Sequence, residues 1–397
     1  MNYNQVVEYL ESLTMMPKSM PGLEKIRSAV TKQSWFSKID PQKVITVAGT
    51  NGKGTTAASL ETLLVSANQK VGLYTSPHLI STTERIRFAG KDISEAAFIV
   101  LFLKHQAVIK ADELSHFESL TLMAADYFFT QDHDFIIFEV GLGGLFDATN
   151  IFPNHYSVIT KLGFDHENIL GHHLIDIARN KFGIIKQDSV VIHHRLDPQL
   201  NDLIAETQKR TKSHWVEARM RAKPFKTNLV GPRAQENISN AVTVFENLGF
   251  DFESHQHVLS QINWPGRMQQ VRWPGIRCPL FLSGDHNPQG IESLMVIIDE
   301  LKYKNLYLII GIGVDKAAET MLQQILTLPR IKLCLTETLF KGLQTSSYPV
   351  FARRKAQIIK PRVEMILNEI KPEENDLVIV TGSLYLIGAV LKMLERK

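Results

Sequence analysis

Short apolar runs alternate with amphipathic stretches along this chain, and the pattern restarts once. Val44-Ile45-Thr46-Val47-Ala48 is a β-branched run bounded upstream by Pro41 and reads as a buried strand, while Ala57 to Val65 carries apolar residues at helical spacing. Lys70 to Thr75, Asp134 to Val140, Tyr156 to Thr160 and Ser189 to His193 read as further strands. Residues 5–13, 94–110, 116–131 and 174–182 read as helices, and a second short helix opens at Gly22-Leu23-Glu24. The run ending in Glu139 is apolar almost throughout, as expected of a parallel strand covered on both faces. Strand and helix taking turns in this way predict a doubly wound, mostly parallel α/β sheet.

Asn263-Trp264-Pro265-Gly266-Arg267 interrupts the pattern, which begins again beyond about residue 270. Residues 279–282, 306–310, 331–335 and 377–380 read as strands, and 290–301, 317–326 and 384–394 as helices. Two domains are expected: residues 1–270 with the larger sheet, and residues 271–397 as a smaller Rossmann-like αβ domain. With 397 residues, 44% hydrophobic and 21% charged, the chain has enough apolar material for two cores of a soluble globular protein.

A formal charge of +3 is too mild for a nucleic-acid partner, and Arg221, Lys223 and Lys226 read as a solvated loop. Cys278 and Cys334 share no metal-ligand spacing and suit a reducing compartment. No run approaches the ~18 apolar residues of a membrane span, and the amino terminus lacks the basic and apolar regions of a signal peptide. The expectation is a cytoplasmic protein, monomeric, with no membrane or nucleic-acid partner.

The junction between the first strand and its helix reads Gly49-Thr50-Asn51-Gly52-Lys53-Gly54-Thr55. Three glycines let backbone N–H groups turn inward, the helix start adds partial positive charge, and Lys53 adds a full one. That chemistry suits a polyphosphate. The spacing departs from G-x-x-x-x-G-K-[ST]: the first glycine precedes Gly52 by three positions, and Gly54 separates Lys53 from Thr55. A glycine-rich turn with a surface lysine is the plainer alternative.

Parallel sheets bind ligands beyond the carboxyl ends of their strands. The loops following four of the expected strands hold the phosphate loop, Ser76, Glu139 and His166. ATP-dependent chemistry needs a divalent cation with hard ligands, and Ser76, Glu139 and His166 form a suitable set. His172-His173 and His193-His194 do not: neighbours on a strand or helix diverge, so they read as surface or structural residues.

Ordered motifs spanning almost the whole chain carry a resemblance. They are Ala48 to Thr55, Tyr74-Thr75-Ser76-Pro77-His78-Leu79, Glu84-Arg85-Ile86, Phe138 to Gly144 with Asp147-Ala148-Thr149-Asn150, Asp165-His166, Lys181-Phe182-Gly183-Ile184, Trp264 to Arg267, Asp285 to Pro288, Asp315-Lys316 and Thr381 to Tyr385. Together they resemble the folylpolyglutamate synthases and dihydrofolate synthases of the Mur ligase superfamily. The resemblance implies ATP and Mg²⁺ as cofactors and L-glutamate with dihydropteroate or folates as substrates. In that family the substrate carboxylate is phosphorylated by ATP and glutamate then displaces phosphate.

Carried over residue by residue, the resemblance assigns Gly49, Thr50, Asn51, Gly52, Lys53, Gly54, Thr55, Asn240, Arg267, Asp285 and His286 to the nucleotide. Ser76, Glu139 and His166 fall to the cation, and Lys181 matches a lysine that is carbamylated in these enzymes. Pro77, His78, Gly143, Gly144, Asp147, Ser383 and Tyr385 fall to substrate, and Lys53, Glu139, His166 and Lys181 to catalysis. The chain departs from the family at Leu145-Phe146, usually Arg-Leu, at Ser283-Gly284-Asp285, usually Asp-Gly-Ala, and at Glu236-Asn237, often His-Gln. A P-loop kinase and a nucleotide-binding homologue that has lost catalysis are the alternative readings.

Overall fold

The computed structural model describes residues 1–14 and 22–395. By internal contacts the chain divides into two compact units. The first takes Met1–Gly163, Glu167–Asn228 and Ala234–Ile262, and the second takes Phe164–His166, Leu229–Arg233 and everything from Asn263 onward.

Eight strands build the sheet of the first unit: β1 (Val44–Ala48), β2 (Val71–Tyr74), β3 (Ile86–Phe88), β4 (Lys91–Asp92), β5 (Phe135–Glu139), β6 (Tyr156–Ile159), β7 (Val190–His193) and β8 (His214–Glu217). Their order is β4-β3-β2-β5-β1-β6-β7-β8, parallel except for the antiparallel β2-β3-β4 edge. All five residues of β1 are buried, as its β-branched run predicts. The register pairs Val47 with Glu139 of β5 and with Val158 of β6, so the loops after these three strands leave the same edge of the sheet. The chain crosses from β2 to β5 on one side of β1 and then to β6 on the other. The phosphate loop therefore sits where strand order reverses.

Beneath the sheet an aromatic cluster anchors the unit. Phe138 and Phe152 stack with centroids 4.7 Å apart, and Trp35 stacks on Phe129 at 5.2 Å. Each fully buried phenylalanine contributes roughly 1.5–3 kcal/mol of apolar transfer, so this cluster fixes the position of β5 and the loop it feeds.

The second unit has strands β9 (Gln269–Val271), β10 (Leu280–Leu282), β11 (Leu306–Ile310), β12 (Ile331–Leu335), β13 (Ile358–Ile359) and β14 (Leu377–Thr381), in the order β13-β12-β11-β14-β10-β9. Only β9 runs antiparallel to its neighbour. Leu306, Leu308 and Ile310 enter one hydrophobic core while Tyr307 and Ile309 enter another, because successive strand residues face opposite ways. The sheet is thus covered on both faces, in keeping with the expected doubly wound α/β class.

Several elements escape the periodicity of the sequence. Strands β3, β4 and β13 have three residues or two, too few to display a period. The helix Asn201–Thr211 buries Leu203, Thr207 and Thr211 at i, i+4 and i+8, so two of its three inward positions are polar. The helix Pro232–Asn247 buries Asn237, Ser239 and Asn240 beside its apolar residues. The phosphate-loop helix begins at Lys53, before its apolar pattern starts at Ala57. Cys278 and Cys334 are both free and buried. Among the described residues no helix is long and apolar enough to cross a membrane.

Candidate functional site

Backbone conformation at the phosphate loop demands glycine twice. Gly52, with φ 89°, caps the helix Lys53–Ser66 in the left-handed region, and a Cβ there would lie 2.1 Å from Asn237 Oδ1. A Cβ on Gly49, with φ 154°, would lie 1.9 Å from Thr160 Oγ1. The loop is bound to the segment following β6: Thr50 N donates to Lys161 O at 2.9 Å, Thr50 Oγ1 to Gly163 O at 2.8 Å, and Thr160 Oγ1 to Asn51 O at 2.8 Å. These bonds hold its shape from within the protein.

Two lysines bear on one carbonyl. Lys53 Nζ donates to Gly49 O at 3.1 Å, and Lys181 Nζ, from the helix Leu174–Lys181, donates to the same oxygen at 2.9 Å. Lys181 is 4% exposed, so its ammonium is desolvated as well as aimed at the loop. Cationic charge concentrated at a helix start is chemistry that suits phosphate oxygens.

Glu139, buried at the end of β5, accepts from Ser76 N at 3.0 Å, which joins two of the expected cation ligands. Among the described residues no three His, Cys, Asp or Glu side chains gather as a ready-made cation cage. Mg²⁺ seldom uses one, since it keeps waters and phosphate oxygens and takes one or two protein ligands. The buried Glu139 carboxylate and the Ser76 and Thr55 hydroxyls are hard oxygen donors of that kind.

The other loops of the first unit are internally braced. Ser76-Pro77 is a cis peptide bond. Glu84 accepts from the backbone N–H groups of Leu79, Ile80 and Ser81 at 2.7, 2.8 and 2.6 Å, and Arg85 Nε donates to His78 Nδ1 at 2.9 Å. Asp147 Oδ2 accepts from Gly141 N and Leu142 N, both at 2.9 Å, and Oδ1 from Thr149 N at 3.0 Å and Thr149 Oγ1 at 2.6 Å. Asp147 therefore builds the loop that carries Gly143 and Gly144. Burial pushes its carboxyl above the usual range, against the pull of these hydrogen bonds. Leu145 and Phe146 stand half-exposed on this loop.

Asn240 is 1% exposed, and neither its Oδ1 nor its Nδ2 has a hydrogen-bond partner among the described residues. It lies one turn along its helix from Asn237, the residue packed against Gly52. A buried amide with both edges unmatched costs free energy unless a ligand supplies a donor and an acceptor together. The sequence could not reveal the contribution of Asn237, which packs against Gly52 and whose carbonyl accepts from Thr56 Oγ1 at 3.2 Å.

In the second unit Asp285 and His286 stand on the loop after β10 and Ser383 on the loop after β14, while Tyr385 lies in the first turn of the helix Leu384–Glu395 and Arg267 on the segment before β9. Ser283 Oγ donates to Asp285 Oδ2 at 2.6 Å, Arg267 Nη1 approaches Gly284 O at 3.5 Å, and Tyr385 N donates to Ser383 Oγ at 3.2 Å. His166 belongs to this unit. Its neighbour Asp165 lies 2.8 Å from Lys316 Nζ, 3.2 Å from Asn287 Nδ2 and 3.5 Å from His286 Nε2. Burial alone would raise the Asp165 carboxyl, but His286, Lys316 and His166 hold it well below the usual range. Burial drives the His166 imidazole down to about 4, leaving it neutral near pH 7. Sequence reasoning placed neither Asp165 nor Lys316 in a site, although both flank residues of interest.

The Mur ligase middle domain family matches residues 47–267. A dihydrofolate synthase/folylpolyglutamate synthase of Buchnera aphidicola is 35% identical over 290 residues, covering 69% of this chain and 70% of that protein. The Bacillus subtilis protein of the same name is 28% identical over 426 residues, covering 94% and 95%. A crystal structure of a bifunctional folylpolyglutamate synthase/dihydrofolate synthase with Mn, AMPPNP and L-glutamate bound is 27% identical and aligns at a TM-score of 0.87, covering 100% of this chain and 98% of that one. Phosphate loop, braced glycine loop and doubly covered sheets thus occur in a chain that belongs to the Mur ligase superfamily, in its folylpolyglutamate synthase/dihydrofolate synthase branch.

Proposed function

We propose that this protein is an ATP-dependent ligase that joins the amino group of L-glutamate to the carboxylate of a pterin-bearing acid, either dihydropteroate or a folate. The reading rests above all on the phosphate loop, where Lys53 and Lys181 converge on Gly49 at a helix start, just past Val47, the register partner of Glu139. In the reaction, a substrate carboxylate oxygen forms a bond to the γ-phosphorus of ATP and the bond to the β,γ-bridging oxygen breaks, giving an acyl phosphate and ADP. The glutamate amine then attacks the acyl carbon, inorganic phosphate leaves, and the amine gives up a proton. A divalent cation, when bound, neutralises charge on the transferring phosphoryl group.

Residues 49–55 are assigned to the phosphates: Lys53 orients them, while the backbone N–H groups at the helix start, Lys53 to Thr55, receive their oxygens. Ser76, Glu139 and His166 are assigned to the cation, and Arg267, Asp285 and His286 to the nucleotide. Asn240 is assigned to adenine, whose edge offers a donor beside an acceptor and so matches the unpartnered amide. Lys181 is the position assigned to carbamylation, in which its neutral amine takes up CO₂ and releases a proton. Pro77, His78 and the loop braced by Asp147 are assigned to the pterin substrate, and Ser383 and Tyr385 to substrate in the second unit.

The test is product analysis by mass spectrometry with ATP, Mg²⁺, L-glutamate and either dihydropteroate or a folate. The expected result is a product heavier by one glutamyl residue, with ADP release that depends on both co-substrates. ADP release without glutamate would point to a kinase, and tight ATP binding without turnover to a lapsed enzyme.

A further inference from the structure

Lys316 faces one ring nitrogen of His166, the residue assigned to the cation. Its Nζ lies 3.3 Å from His166 Nε2, 2.8 Å from Asp165 Oδ1 and 3.7 Å from Asp315 Oδ2. The side chain is 11% exposed, so this is a held position and not a surface excursion. An ammonium can only donate, so Nε2 accepts and the ring proton belongs on Nδ1, which faces Asp315 Oδ2 at 3.8 Å. That tautomer follows from the hydrogen-bond network.

The main chain of His166 is also held. His166 has φ 52°, a left-handed conformation sparsely adopted by residues other than glycine, and its N–H donates to Asp165 Oδ1 at 3.0 Å. Asp165 is held in turn by Asn287 and Lys316. The lone pair that a metal would take already faces a cation, and two cations cannot share it.

We propose that Lys316 is a positioning residue that caps His166 Nε2 in the cation-free protein and must withdraw before that nitrogen can serve as a ligand. Uptake of the cation and release of the Lys316 ammonium are then one coupled event. This rests on the assignment of His166 to the cation made above. The apparent affinity for the cation is lowered by the fraction of molecules in which the cap is closed, and the four-carbon stem of Lys316 allows the charge to swing away without backbone movement.

The experiment is a Mn²⁺ titration of the full chain, following paramagnetic broadening of the His166 ring resonance, which is identified by its loss in His166→Ala. Bulk Mn²⁺ binding is followed by electron paramagnetic resonance. Lys316→Met is expected to move the midpoint to roughly five- to tenfold lower Mn²⁺, as removal of a charge-assisted hydrogen bond implies. Lys316→Arg, which keeps charge and donor, is expected to stay near the unsubstituted protein.

An unchanged or higher midpoint in Lys316→Met, with broadening of His166 intact, overturns the cap and leaves the ligand assignment standing. Equal tightening of bulk Mn²⁺ binding by Lys316→Met in the His166→Ala background also overturns it, since the lysine would then act only through its charge. Absence of His166 broadening in every variant, with or without AMPPNP, removes His166 as a ligand and the cap with it.

Discussion

Lys181 Nζ donates to the carbonyl oxygen of Gly49 at 2.9 Å, joining residues 132 positions apart. The bond ties the end of the helix Leu174–Lys181 to the first residue of the phosphate loop. It also presents an amine, desolvated in its buried position, to whatever occupies that loop.

If Lys181 is the carbamylated residue, ¹³C NMR of the protein equilibrated with ¹³C-bicarbonate will show one carbamate resonance that Lys181→Met lacks. The same substitution removes one of the two lysine donors to Gly49 O and is expected to cost about 1–3 kcal/mol in stability, read by urea denaturation. Turnover should fall at least about a hundredfold, in line with the loss of a preorganised charge in a water-poor site.

Asn240 offers a cleaner separation of binding from folding. Its amide is buried with both polar atoms unmatched, so Asn240→Leu, similar in volume, is expected to leave the ligand-free protein as stable as before or more so. The upward shift in melting temperature on adding ATP should shrink, and KM for ATP should rise by about tenfold. A substitution that destabilised the free protein while leaving KM for ATP unchanged would remove Asn240 from the adenine assignment.

Glu61 lies in the phosphate-loop helix, 2% exposed, with Oε2 3.1 Å from Arg87 Nη2 of β3. Burial raises its carboxyl to about 7, and the Arg87 guanidinium only partly opposes this. The folded state therefore binds the Glu61 proton more tightly than the unfolded chain does. Its contribution is fully present below the unfolded value of 4.5 and is lost as pH rises through about 7. Denaturation of the unsubstituted protein compared with Glu61→Gln should show this difference growing by about 2 kcal/mol between pH 7.5 and 5.5, in favour of the unsubstituted protein at the lower pH.

Asp147 accepts four hydrogen bonds from the loop around it. Asn in its place can accept through one oxygen only and turns an NH₂ group toward N–H donors, so Asp147→Asn is expected to cost about 1–3 kcal/mol. Because the loop carries Gly143 and Gly144, KM for the pterin substrate should rise more than KM for ATP. Equal effects on both would argue that the loop does not meet the pterin.

Much of this molecule was legible in its residue order, and the reasons are local. The run from Val44 to Ala48 forms a strand because β-branched side chains suit a sheet buried on both faces. The loop that follows shows its glycines and the charge at Lys53 within a few residues of sequence, so a cationic glycine-rich turn at a strand-to-helix junction and the doubly wound fold were both readable there. Order along the chain also carried the family motifs, from Ala48 to Tyr385.

Relations between distant segments could not be read in that way. That Lys181 meets Gly49, that Asn237 fills the space a Cβ on Gly52 would need, and that Asn240 is buried without a partner depend on how helices pack over the sheet. Asp147 reads as a substrate contact in the motif, whereas in the fold its oxygens serve the loop. Lys316 reads as one half of a dipeptide, and only the packing of the second unit brings it to Asp165 and His166. Residue order sets local backbone preference and charge. Hydrogen-bond partners 100 or more positions apart are chosen by the packing of buried surfaces, which no short stretch of sequence contains.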